Sequence, residues 1–85
     1  MPPTNPRTRE REALGRAIRV LRAERGVSQE AVEAAGGLGQ NALTRIERGG
    51  VAASFDSLVG IAAGLDVSLG DVIEAYEAQL ARPPR

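Results

Sequence analysis

The chain contains no cysteine, histidine, tryptophan or lysine, and its only aromatic residues are Phe55 and Tyr76. Without cysteine there is no disulfide framework and no thiolate metal site. Without histidine the commonest general base and metal ligand is missing. Two aromatic residues at core-like positions make no stacking platform for single-stranded nucleic acid. No apolar run approaches the roughly 18 residues of a membrane-spanning helix, and no secretory leader is visible, so a cytoplasmic protein is expected. There is no glycine-rich phosphate loop ahead of a helix and no carboxylate pair set in a cleft. No enzyme is expected, no catalytic residue is assigned, and neither a metal nor a cofactor is implied.

What remains is 85 residues with 11 cationic and 11 anionic side chains, a formal net charge of zero. The distribution says more than the sum. Residues 1–48 hold nine Arg against six acids (+3), and residues 49–85 hold two Arg against five acids (−3). A basic half is what a surface that grips a polyanion needs. Pro2, Pro3 and Pro6 exclude a helix at the start. The expected organisation is therefore a disordered tail over residues 1–8, one domain over 9–82, and a short tail over 83–85.

The pattern in between is helical throughout. Leu14, Ile18 and Leu21 recur at i, i+4, i+7 and predict a first helix over about Arg9–Arg25, closed by Gly26. Ser28 is a good N-cap for a second, Gln29–Ala35, stopped by Gly36 and Gly37. Leu43 and Ile46 are the inward pair of a third, about Gln40–Arg48, ended by Gly49 and Gly50. Ser54 caps a fourth, Phe55 to about Leu65, in which Gly60 and Gly64 lower the intrinsic propensity by about 1 kcal/mol each relative to Ala. Ser68 and Asp71 resemble a capping box opening a fifth, which runs to about Arg82 ahead of Pro83 and Pro84. The second and third helices, joined by a tight glycine turn, make a helix-turn-helix, whose second member can enter the major groove.

Ser28-Gln29-Glu30, Gly37-Leu38 and Thr44-Arg45-Ile46-Glu47-Arg48-Gly49, flanked by Leu14 to Arg22 and by Ser54 to Leu69, resemble the phage-repressor-like (Cro and lambda-repressor type, XRE) helix-turn-helix family. The resemblance covers roughly residues 12–76. It implies a compact all-α, five-helix lambda-repressor-like domain with the helix-turn-helix at helices two and three. It also implies double-stranded DNA as partner, and an ion pair between Arg22 and Glu47. Gln29 matches the position that grips a backbone phosphate in the family. Backbone contacts are expected from Gln29, Gly39, Arg48, Gly50 and Arg19. Base contacts are expected from Gln40, Asn41, Thr44 and Arg45, because Asn and Gln pair with adenine and Arg with guanine. Two departures stand out. Glu33 replaces the small residue that lets the two helices approach, so it must bend outward or find a partner. The Gly49–Ala53 connection carries no cation, which leaves the amides of Gly49 and Gly50 as its donors.

Leu69, Val72, Ile73, Tyr76 and Leu80 form an apolar stripe on the last helix, longer than one small core needs. A homodimer through that stripe is expected, reading a near-palindromic operator with two half-sites. The resulting expectation is a sequence-specific transcriptional regulator, a repressor by type, with no small-molecule effector and no membrane association. The alternative is a protein-interaction module that keeps the fold with weak or no DNA binding.

Overall fold

The computed structural model describes residues 7–82, which form α1 (Thr8–Arg25), α2 (Gln29–Gly36), α3 (Ala42–Glu47), α4 (Phe55–Leu65) and α5 (Leu69–Ala81). The tails at 1–6 and 83–85 lie outside the described residues. Thr8, assigned to the tail, opens α1.

Local signals set most of the boundaries. Ser28, Ser54 and Ser68 each accept a first-turn amide, from Ala31, Ser57 and Asp71 respectively. At Ser68 the box is reciprocal, with the Ser68 N–H donating to Asp71 Oδ2 at 3.0 Å. Gly26 and Gly37 end α1 and α2 in the left-handed conformation, at φ 66° and 68°.

α1 and α5 run antiparallel. Arg9 Nη2 donates to the Leu80 carbonyl at 3.0 Å at one end, and Arg25 Nη2 to the Asp66 carbonyl at 2.8 Å at the other. α2 lies antiparallel against α4, with Gly36 facing Gly60 and Val32 facing Gly64. Ile18, Val32, Leu43, Ile46, Ile61 and Leu65 form the buried core where α1, α2, α3 and α4 meet. Leu14, Leu21, Val27, Leu38, Ala53 and Val67 pack around it.

Three expectations are corrected. First, α3 is only Ala42–Glu47, because Gln40 and Asn41 belong to the turn and Asn41 sits at φ 65°. Second, Val72 is fully buried and cannot belong to a dimer face, since α5 lies along α1 and covers it there. Third, Gly60 and Gly64 are more than weak helix formers. A Cβ at Gly60 would meet the Gly36 carbonyl oxygen at 2.6 Å, and one at Gly64 would overlap the Val32 carbonyl. They are the places where two backbones touch.

Candidate nucleic-acid interface

The helix-turn-helix is held from beneath by a polar network spanning α1, α2 and α3. Arg22 donates twice to Glu47, Nε to Oε2 at 2.7 Å and Nη2 to Oε1 at 3.0 Å. Its third donor, Nη1, reaches the Val27 carbonyl at 3.2 Å. The Glu47 side chain is 3% exposed and that of Arg22 21%. The hydrogen bond to Glu47 raises the guanidinium pKa above its ordinary value, outweighing the opposing effect of burial. Gln29 Nε2 donates to Glu47 Oε1 at 3.0 Å, and the Thr44 hydroxyl donates to Gln29 Oε1 at 2.8 Å. Gln29 therefore keeps one amide N–H unused, while the only hydroxyl proton of Thr44 is directed back to α2.

Behind this network α1 approaches α3 through Gly15. A Cβ there would overlap the Glu47 carbonyl oxygen, so the close approach requires glycine. Nothing in the sequence pattern distinguished Gly15 from an ordinary helical residue.

Both ends of α3 are closed by hydrogen bonds, the carboxyl end through the two glycines that end the helix in the sequence pattern. At the carboxyl end Gly49, at φ 75°, donates its N–H to the Ile46 carbonyl, and Gly50 donates to that of Arg45 at 3.1 Å. This is the paired arrangement that satisfies a helix's last carbonyls. It corrects the expectation that the Gly49 and Gly50 amides are open donors, and Gly50 has no free N–H for a DNA backbone. At the amino end the Leu43 N–H donates to Glu33 Oε2 at 2.9 Å. Glu33 has turned inward, 9% exposed, and found its partner on α3 rather than bending outward.

The surface left over is the chemically informative part. Gln40, Asn41 and Arg45 are exposed, and their side chains have no hydrogen bond or ion pair to any described residue. Asn41, Arg45 and Arg48 follow at i, i+4 and i+7 along the outward side of α3. Arg19 and Arg48 are likewise exposed and unpaired among the described residues, and they line one polar recess with Glu12, Arg16 and Glu47. Gly39 is exposed in the turn, with open space where a Cβ would stand. Arg9 and Arg16 are engaged with α5, Arg16 Nε donating to Gln79 Oε1 at 3.3 Å. They belong to the α1–α5 contact.

The last helix presents a mixed face. Leu69, Tyr76 and Leu80 are half-buried and Ile73 is 38% exposed. Ile73 and Tyr76 line an open apolar groove of about 480 Å³ with Leu14, Leu58, Ala52 and Ala53. Phe55, which was assigned no function, is the most exposed large apolar side chain at 68%. This corrects its reading from the sequence as a core-like position: directly after the Ser54 cap, its ring lies outside the core.

A short helix with free amide and guanidinium side chains at its outer edge, set on a locked two-helix frame, defines a helix-turn-helix DNA-binding protein. A family model described as helix-turn-helix matches residues 18–72. The chain belongs to that family, the XRE-type proteins of the Cro and lambda-repressor kind, and is a DNA-binding helix-turn-helix regulator. The family is a regulatory one and not typically enzymatic. No curated protein and no solved structure matches the chain significantly. No helix among the described residues is long and apolar enough to cross a membrane.

Proposed function

We propose that this protein is a sequence-specific transcriptional regulator that binds a near-palindromic operator as a homodimer, with α3 in the major groove. The observation that carries the reading is the free state of Gln40, Asn41 and Arg45 beside a fully engaged Arg22–Glu47–Gln29–Thr44 network. Unpartnered amides and a guanidinium at one helix edge have the donors and acceptors that base edges require. Arg19 and Arg48 flank that edge as phosphate contacts, joined by the remaining N–H of Gln29 and by the Gly39 backbone. Thr44 contributes its methyl group, the part of its side chain that the network leaves unused.

One copy touches too few bases for useful selectivity, so two copies related by a two-fold axis would read half-sites about one helical turn, ~34 Å, apart. Ile73 and Tyr76, with the adjoining edges of Leu69 and Leu80, supply the apolar part of that contact. Phe55 and Val59 on α4, and Val51 in the loop ahead of it, are further exposed apolar side chains. A patch carrying both a protruding ring and a groove is suited to self-association, because a two-fold interface applies one surface to itself.

The test is selection of bound duplexes from a random pool, followed by fluorescence anisotropy on the winner and on a shuffled duplex from 50 to 200 mM salt. A regulator yields a palindromic consensus and a complex that survives the higher salt. The two phosphate-facing cations per copy, Arg19 and Arg48, support a log–log salt slope of roughly −4 per dimer, from about −0.9 per phosphate contact. A pool with no consensus, and binding equal on both duplexes, would point instead to a protein-interaction module on the same fold. The spent Gly49 and Gly50 amides and the zero net charge are the observations on that side. Sedimentation at tens of micromolar decides the dimer separately.

A further inference from the structure

Helix α3 has six residues, and its start is not capped by its own sequence. Asn41, in the N-cap position, has φ 65° and ψ 7° and makes no side-chain cap. An ordinary N-cap is extended and turns its side-chain oxygen onto a first-turn amide. Here that amide is Leu43 N–H, and the oxygen it meets belongs to Glu33, one helix away, at 2.9 Å in a buried bond. On its other side α2 lies tight against α4, where Gly36 and Gly60 bring the two backbones together. Glu33, next to Val32 on α2, thus points at α3 while Val32 and Gly36 face α4.

We propose that Glu33 is a positioning residue for DNA readout: it supplies from α2 the cap that Asn41 would otherwise provide, and so releases the Asn41 amide to face a base edge. Two consequences follow from one bond. The start of α3 is fixed in register against α2, and the residue at the head of the helix becomes a reader. The readout half rests on the assignment of α3 to the major groove, whereas the capping half does not.

Three variants test it: Glu33→Gln, Glu33→Ala and Asn41→Gly. Amide hydrogen exchange at Leu43 is followed without DNA, and affinities are measured on the selected and shuffled duplexes. Gln keeps a carbonyl oxygen in place, so E33Q retains Leu43 protection and the selected-to-shuffled affinity ratio. E33A exposes the amide, speeds its exchange at least about tenfold, and lowers the affinity ratio by about tenfold. N41G suits the left-handed backbone, so it leaves Leu43 protection and folding intact yet lowers the affinity ratio by a similar factor.

E33A with wild-type Leu43 protection would overturn the cap, as would E33Q losing protection as fully as E33A. N41G that loses Leu43 protection would show that Asn41 is the cap after all, and overturn the proposal. Wild-type protein without duplex preference would refute the DNA assignment and with it the readout half, while exchange at Leu43 still decides the cap. If E33A does not fold, the N41G and E33Q arms carry the same decision.

Discussion

Arg22 and Glu47 share one ion pair but not one environment, and their removal should differ in cost. Replacing Arg22 by Met keeps the aliphatic stem and removes the charge. It leaves a carboxylate 3% exposed with a single remaining donor, Gln29 Nε2 at 3.0 Å. Breaking a buried pair in this way costs about 3–5 kcal/mol, because the surviving charge stays desolvated. Replacing Glu47 by Met instead leaves Arg22, 21% exposed and still bonded to the Val27 carbonyl, free to turn toward water. That loss is closer to the worth of two charge-assisted hydrogen bonds, offset by rehydration, about 1–3 kcal/mol. A chain of this size has a total stability of about 4–13 kcal/mol, so R22M removes a large share of it. With about 4–8 °C per kcal/mol for a small domain, R22M lowers Tm by roughly 12–40 °C and E47M by roughly 4–24 °C. The double variant should be more stable than R22M alone, since it buries no unpaired charge. Urea and thermal unfolding followed by circular dichroism give the three numbers. E47M costing as much as R22M, or R22M costing under about 1 kcal/mol, would refute the asymmetric burial argument.

The remaining expectations concern backbone contacts, pH and the reading edge. G15A places a methyl against the Glu47 carbonyl oxygen and should cost about 1–3 kcal/mol, whereas G39A meets nothing within 4 Å and should be close to neutral in the same unfolding assay. The Asp71 carboxyl is held below its ordinary pKa mainly by the Ser68 backbone N–H. Its contribution to stability is thus present above the unfolded carboxyl pKa, about 3.9, and is lost as pH falls through the lower folded value. A carboxyl NMR titration should give an Asp71 midpoint below that of an exposed Asp, and D71N should flatten this acid limb. R45A, at an exposed and unpaired side chain, should weaken binding to the selected duplex by about 1–3 kcal/mol if it reads a base. It should leave Tm unchanged, and an equal loss on every duplex would make it a phosphate contact instead.

Much of the fold was legible because its signals are local. Ser28, Ser54 and Ser68 each cap a helix by accepting from the amide three residues ahead, a pattern that depends on nothing distant. The i, i+4, i+7 spacing of Leu14, Ile18 and Leu21 marks the inward side of α1 for the same reason. What the sequence concealed depends on neighbours far along the chain. Gly15, Gly36, Gly60 and Gly64 look like propensity losses until α1 is set on α3 and α2 on α4. Val72 looked like one member of an exposed stripe because periodicity tells which side is apolar, not how much of it a second helix will cover. Asn41 in the left-handed region shortened α3 by two residues at its start, since Asn tolerates that conformation better than most residues but does not demand it. Gln40, Asn41 and Arg45 stand out as candidate base contacts by type and position alone, and the structure leaves all three exposed and unpartnered among the described residues. The inward turn of Glu33 does not, because a glutamate at a helix crossing has no local reason to be buried.

Six residues of helix are far fewer than the roughly 12–15 at which an isolated helix becomes even marginally stable in water. α3 therefore exists only through its supports, and these divide by position. Glu33 fixes the first turn, Gly49 and Gly50 close the last carbonyls, and Leu43 and Ile46 anchor the inner side in the core. Glu47, the last residue, is tied to α1 and α2 together. Every one of these contacts lies inward or at an end, so none consumes a side chain on the outer edge. On the proposed reading, such a helix would meet DNA with little backbone freedom left to lose, and the ordering cost would fall mainly on Gln40, Asn41, Arg45 and Arg48. It follows that weakening a support should lower affinity even where no DNA-facing atom has changed. A support variant such as R22M should therefore bind the selected duplex less tightly at a temperature where it is still fully folded, with the deficit growing as its Tm is approached.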